Sequence, residues 1–149
     1  MASRYALEIR AATAMEAPGL ATLLAEAGHA IDAGAIAERL AAIQAGAGAA
    51  LVALQWGPPS GLVILHWYHT VLAPRPVAQV TTLLVAAEDR RRGIGRMLLK
   101  AAAQAARTAG CGELELLAGP DQAALHAFCH ATGFEPAGAR FIRPLRKRT

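Results

Sequence analysis

The chain has 149 residues, 54% hydrophobic, 17% charged and 5% aromatic, too apolar for a disordered polymer and long enough to bury one sizeable core. Its formal net charge is +4, from 15 Lys and Arg against 11 Asp and Glu, and the basic residues gather around positions 90–100 and 140–148, where anionic ligands would be drawn. No apolar run reaches the roughly 18 residues that span a bilayer, and Cys111 and Cys129 have neither CxxC spacing nor a ligand cluster around them, which argues against a zinc site or a disulfide framework. Arg4 is followed by no apolar stretch of the signal-peptide kind, so a cytoplasmic protein with reduced thiols is expected.

Residues 5–10 alternate apolar and polar side chains, the period of a strand with one buried face. Leu20, Leu23 and Leu24 recur at helical spacing within residues 16–27, and Asp32 stands where it can N-cap a second helix carrying Ile36, Leu40 and Ile43 on one side. Gly46 and Gly48 end that helix. Residues 49–56 and 61–68 are β-compatible runs joined by Gly57-Pro58-Pro59-Ser60, whose fixed proline φ and permissive glycine suit a turn between antiparallel strands. Pro74-Arg75-Pro76 closes the second run, and a strand rich in Val, Thr and Leu spans 77–85.

An acidic connection and a glycine-bearing loop then lead into a strong helix from Arg96 to about Ala109, closed by Gly110. Leu114, Leu116 and Leu117 mark a short strand, Gly119-Pro120-Asp121 turns the chain, and residues 122–132 form a helix stopped by Gly133. Residues 134–137 and 140–145 are assigned to two final short strands. The order predicts a single mixed α/β domain over residues 1–149, without repeats or low-complexity linkers.

A strand, a glycine-rich turn and a helix N-terminus in succession form a general anion receptor, because unpaired amides point outward and the helix dipole adds partial positive charge. No Lys-Ser/Thr pair follows Gly93 and Gly95 at Walker spacing. Leu98 stands where a dinucleotide fingerprint needs its third glycine. The longer string is more specific: Val85, a short acidic loop, Arg90-x-x-Gly93-x-Gly95, then a helix with Met97-Leu98-Leu99. It resembles the GNAT family of N-acetyltransferases, whose acyl-CoA motif is [Arg/Gln]-x-x-Gly-x-[Gly/Ala]. Downstream, Ala127-Phe128-Cys129-His130-Ala131-Thr132-Gly133-Phe134 is similar to the family's Phe-Tyr-x-x-x-Gly-Phe segment.

The resemblance implies a mixed central sheet of about six to seven strands flanked by about four helices, splayed between the strands ending Val85 and Leu117. It implies acetyl-CoA as cosubstrate. The pantetheine would run beside Leu83, Leu84 and Val85, and the pyrophosphate would lie on the loop formed by Arg90, Arg91, Arg92, Gly93, Ile94, Gly95 and Arg96. A Cβ at Gly93 or Gly95 would obstruct the phosphates or demand an unfavourable φ. A homodimer is a further expectation from the family.

Acyl transfer needs an amine to attack, donors for the oxyanion and an acid for the departing thiolate. The family commonly uses tyrosine as that acid at the position that here is Cys129, so Cys129 is the candidate acid. The bland alternative is a small residue packing beside Phe128, and a third reading pairs Cys129 as nucleophile with His126 or His130. Many relatives carry a carboxylate on the strand that here reads Gln79-Val80-Thr81-Thr82. Thr82, or Thr81, is then a candidate for positioning water, with Glu113 and Glu115 as alternative bases or plain surface carboxylates. Trp56, Trp67, Tyr68, His66 and His69 either shape an acceptor pocket or anchor the core. Arg140, Arg143, Arg146, Lys147 and Arg148 read as a solvated tail.

The expected activity is acetyl transfer from acetyl-CoA to a primary amine of a small molecule or peptide, by direct attack in a ternary complex, with no metal, nucleic-acid or membrane partner. The rival is a catalytically weak acyl-CoA-binding regulatory module. Nucleic-acid binding is disfavoured because no aromatics interleave with the basic clusters as a stacking platform requires.

Overall fold

The computed structural model describes residues 6–146, and in it the predicted periodicities resolve into five strands and four helices. β1 (Glu8–Ala11) leads through a 3-10 turn (Ala14–Glu16) into α1 (Ala17–Glu26) and α2 (Ala33–Ala45). Then come β2 (Gly48–Leu54), β3 (Gly61–Tyr68), β4 (Val77–Val85), α3 (Ile94–Thr108), β5 (Glu113–Leu116) and α4 (Ala123–Ala131). The chain divides into two compact units, Met1–Leu117 and Ala118–Thr149. Tyr5, where the first strand was expected to start, lies outside the described residues.

In the first unit the strands form one sheet in the order β1-β2-β3-β4-β5. Every pairing is antiparallel except β4 with β5, and α3 supplies the crossover that a parallel pair needs. Alternate side chains go to opposite faces. Ala50, Val52 and Leu62 join Leu20, Leu23, Ile36 and Leu40 of α1 and α2, while Ala53, Val63 and Leu65 pack on Ile94, Leu98, Ala102 and Ala106 of α3. Burial on both faces is why β3 reads as a nearly continuous apolar run from Leu62 to Leu65.

The β3–β4 register slips by one residue: Ile64 faces Thr82 but Leu65 faces Val80. Thr81 is the extra residue, a β-bulge. It inverts the alternation along β4, so that Val80 and Leu83 both lie on the α3 side while Leu84 joins the α1–α2 core. Gly61 lies beneath Leu98 and Ile94 of α3. A Cβ there would stand 2.8 Å from the Leu84 carbonyl oxygen and 2.8 Å from Leu98 Cδ1, so a larger residue would push the helix off the sheet.

Local capping follows the sequence. Asp32 Oδ1 accepts from the Ala35 N–H at 3.1 Å, as its N-cap position predicts. Thr13 and Glu16 form a reciprocal capping box at the 3-10 turn, with the Thr13 N–H donating to Glu16 Oε1 at 2.7 Å. Arg10 grips the same carboxylate, Nη1 to Oε1 at 3.2 Å and Nη2 to Oε2 at 2.9 Å.

Glu16 is only 8% exposed, yet the Arg10 hydrogen bonds, with help from Thr13, outweigh desolvation and hold its carboxyl below the usual range. A folded-state pKa below the unfolded value means that this stabilisation is complete above the unfolded pKa and is lost as pH falls through the folded one. In thermal melts, wild type is therefore expected to exceed Glu16→Gln at neutral pH. The gap should begin to narrow at about pH 4, where free carboxylates protonate, and close only as pH falls through the lower folded-state value.

The two final strands expected over residues 134–137 and 140–145 are not formed: residues 134–146 contain no strand. Pro136 and Pro144 have no N–H for a ladder, and Gly138 turns the backbone at φ +80°. Phe141, 93% exposed, and Leu145 bury nothing. Among the described residues the sheet therefore has five strands rather than six or seven. In this second unit α4 ends in a Schellman motif: the Phe134 N–H donates to the Cys129 carbonyl at 2.9 Å and the Gly133 N–H to the His130 carbonyl at 3.4 Å. No helix among the described residues is long and apolar enough to cross a membrane.

Candidate functional site

After β4 a 3-10 turn (Ala87–Asp89) leads into the arginine-rich loop, and α3 starts from Gly93, which adopts the left-handed φ of +80° without any side-chain cap. A Cβ on Gly93 would meet no protein atom within 4 Å, so within the protein it is the backbone conformation rather than space that calls for glycine. Arg91 is also left-handed, at φ 67°, the one non-glycine residue so placed among the described residues. That conformation costs about 1–2 kcal/mol. The first-turn amides of α3 lack an intrahelical partner and stand at the positive end of its dipole.

Arg90, Arg91 and Arg96 are exposed around this helix end, and no acid occupies its first turn. Cations at a helix N-terminus are unfavourable on their own; a bound anion would relieve both the charge and the unpaired amides. Arg92 differs from its neighbours. Its Nη1 donates to Asp89 Oδ1 at 2.7 Å and its Nη2 to Gln55 Oε1 at 2.8 Å, so it ties the loop to the residue that follows β2. Ile94 is buried in the α3 core and Gly95 lies in the helix's first turn, so Ile94 and the Arg92 contacts together anchor the loop.

β4 and β5 pair only from Val77 opposite Glu113 to Val80 opposite Leu116, with a last hydrogen bond from the Leu117 N–H to the Val80 carbonyl at 3.2 Å. The bulge at Thr81 falls at that point. Thr82, Leu83, Leu84 and Val85 continue against β3 alone, so among the described residues one edge of this segment has no strand partner, as the predicted splay requires. An extended ligand bearing amides can add to such an edge. Thr82 lies half-buried opposite Ile64.

The two tryptophans of the central hairpin lie apart. Trp67 packs into the α3-side core, and Trp56, 73% exposed, lines with Met15, Pro58 and Pro59 a separate cavity of about 410 Å³ at the β2–β3 turn. Tyr68 instead reaches across the sheet: its hydroxyl donates to Glu115 Oε1 at 3.2 Å, and Gln79 Nε2 donates to the same oxygen at 3.1 Å. Burial first, then the neighbouring Glu115, pushes the Tyr68 phenol up from its ordinary value.

In the second unit Cys129 is a free, half-buried thiol on α4, and burial pushes it up. It remains protonated, and hence able to donate, at neutral pH. His126 Nε2 lies 2.8 Å from the Gly119 carbonyl oxygen, and among the described residues no histidine hydrogen-bonds to Cys129, which leaves the nucleophile reading without its base. Among the described residues no group of three or more His, Cys, Asp or Glu is disposed to hold a metal ion.

The sequence model of the Acetyltransferase (GNAT) family matches residues 19–134. No protein of curated function matches the chain. Solved structures do. A protein of Agrobacterium tumefaciens str. C58 superposes with TM-score 0.81 at 28% identity, covering 92% of this chain and 99% of that one. The aminoglycoside N-acetyltransferase AAC(6')-Iy, crystallised with CoA, gives TM-score 0.80 at 21% identity and 95% coverage of both chains. An aminoglycoside acetyltransferase from an uncultured soil metagenomic sample, in complex with sisomicin, gives 0.77 at 20%, covering 98% of this chain and 100% of that one.

Proposed function

The chain belongs to the GNAT family of acetyltransferases, and from that premise we propose that it transfers the acetyl group of acetyl-CoA to a primary amine by direct attack in a ternary complex. The observation that carries this reading is the start of α3: an uncapped helix N-terminus with left-handed Gly93 and exposed Arg90, Arg91 and Arg96. The donor chemistry fits a pyrophosphate, and the unpartnered edge of residues 82–85 fits the amide-bearing pantetheine arm. Residues 90–96 would hold the phosphates, with Arg92 fixing the loop and the others supplying amides and charge. Leu83, Leu84 and Val85 would hold the arm. The family match spans both compact units, which supports treating residues 1–149 as one GNAT-like domain. The complex of the soil metagenomic enzyme with sisomicin supports a small-molecule amine as acceptor.

In the proposed reaction the amine nitrogen bonds to the thioester carbon, the C–S bond breaks and its electron pair goes to sulfur. Cys129 donates its proton to that sulfur, and Thr82 orders a water that takes the proton from the amine. Following thiol release across a panel of primary amines tests the activity. Cys129→Ala is expected to lower kcat about tenfold. That is less than the 10²–10⁴ usual for a general acid, because a thiolate already leaves readily near neutral pH. The acetyl-CoA Kd should stay within about twofold. Because the thiol must be protonated to act, the wild-type kcat should fall on the alkaline side, and Cys129→Ala should lose that limb. An unchanged kcat and profile would remove Cys129 from the mechanism.

A second reading, an acyl-CoA-binding module with little catalysis, is favoured by Cys129 standing in place of tyrosine and by the absence of a carboxylate from Gln79-Val80-Thr81-Thr82. Acetyl-CoA binding without amine-dependent thiol release would establish it.

A further inference from the structure

Met15, just before α1, and Trp56, in the β2–β3 turn, are both large, apolar and exposed, and both stand on the wall of the cavity of about 410 Å³, with Pro58, Pro59, Arg10 and Glu16. Its volume lies in the range of small-molecule sites, which pair apolar and aromatic walls with a few polar groups. The walls are fixed without a ligand. Pro58 and Pro59 have locked φ angles, and a Cβ on Gly19 of α1 would stand 2.5 Å from Pro59 Cδ, so the turn is seated directly on the helix. In the sheet β3 lies between β2 and β4, which sets the cavity apart from the edge of residues 82–85 that suits the pantetheine arm.

Arg10 supplies the polar end. Its Nη1 donates to the Ala11 carbonyl at 3.0 Å and to Glu16 Oε1, and its Nη2 donates to Glu16 Oε2. A guanidinium carries more N–H groups than these bonds use: the Nε–H and the second Nη2–H form a parallel, side-on pair that Glu16 does not engage. Glu8 Oε1 lies 4.0 Å from Nε, beyond hydrogen-bond length, and the Glu8 side chain is exposed. Glu16 is buried, and its oxygens already accept from Arg10 and Thr13, so its charge is compensated inside the fold. The half-buried Arg10 therefore keeps two parallel donors, the geometry that receives a carboxylate in bidentate fashion.

We propose that this cavity is a second ligand site, for a small aromatic carboxylate. The carboxylate takes the side-on Nε–H and Nη2–H of Arg10 and displaces the loosely held Glu8, while the ring lies against Trp56 between Met15 and the prolines. The two ends select the ligand together: the Arg10 fork requires an anion with paired oxygens, and the indole face favours a planar ring over an aliphatic chain. The site is independent of the acetyl-CoA loop, so the ligand is bound there whether or not the cosubstrate is present.

Calorimetric titration of the full chain with indole-3-acetate tests the site, with acetate and indole as its two halves. The expected result is saturable binding of indole-3-acetate, with acetate and indole each weaker by about tenfold or more, and the same affinity when the protein is saturated with acetyl-CoA. Arg10→Lys keeps a cation beside Glu16 but loses the fork, and Trp56→Ala removes a largely exposed ring; each should weaken binding about tenfold. Glu8→Gln removes the competing charge and should strengthen binding about threefold, a gain that damage to the fold would not produce. Absence of saturable binding by wild type, equal affinity in wild type and in either Arg10→Lys or Trp56→Ala, or displacement of indole-3-acetate by acetyl-CoA would overturn the inference.

Discussion

Gly93→Glu is expected to weaken acetyl-CoA binding about 100-fold or more, equivalent to roughly 2.7 kcal/mol or more. Two effects combine. Gly93 holds φ +80°, a conformation that costs an ordinary L-residue about 1–2 kcal/mol, so the loop relaxes away from its receptor shape. A carboxylate is also set down at the helix end where phosphates would have to sit, and like charges at contact are repelled most where water is excluded. Gly93→Asn separates the two. Asparagine tolerates the left-handed region, and a Cβ at this position meets no protein atom, so its melting temperature should stay near wild type while affinity falls by a smaller factor. Titration calorimetry on both variants reads the difference. Unchanged affinity in Gly93→Glu would move the ligand away from this loop.

Leu98→Ala should cost about 3 kcal/mol, lowering the melting temperature by about 10 °C. Leu98 is fully buried on α3, and its Cδ1 occupies the space above Gly61. Truncation leaves a cavity between Gly61, Ile94 and the sheet that neighbouring side chains cannot fill without moving backbone. Because Leu98 belongs to the first turns of the helix whose N-terminus offers the amides, some loss of acetyl-CoA affinity should accompany the loss of stability, but a smaller one than in Gly93→Glu. Denaturant unfolding checks the magnitude; a cost below about 1 kcal/mol would mean that the core collapses around the vacancy.

Much of this was legible in local chemistry. The Gly57-Pro58-Pro59 hairpin, the Asp32 cap and the strand–loop–helix at Arg90 to Gly95 each rest on residues adjacent in the chain, where a turn or cap has a fixed signature. The capping box at Thr13 and Glu16 carried such a signature, a Thr followed three residues later by Glu, and a search for it would have found the turn before α1. The final strands expected over residues 134–145 do not form because their β-compatible Phe and Ile are interrupted by Pro136, Gly138 and Pro144, which deny the ladder. The Thr81 bulge was hidden because Val, Thr and Leu suit a strand on either face, so nothing in Gln79-Val80-Thr81-Thr82 reveals a slipped register. Arg92 with Gln55 and Tyr68 with Glu115 are 37 and 47 positions apart, and only the folded register brings them together.

What the loop at the start of α3 binds decides whether the chain uses acetyl-CoA. Calorimetric titration of the full chain with acetyl-CoA, with CoA and ATP run in parallel, tests that directly. The prediction is saturable, micromolar binding of acetyl-CoA and of CoA, with ATP weaker by about tenfold or more because it lacks the arm that lies along residues 82–85. No binding of acetyl-CoA, or equal affinity for ATP, would contradict it.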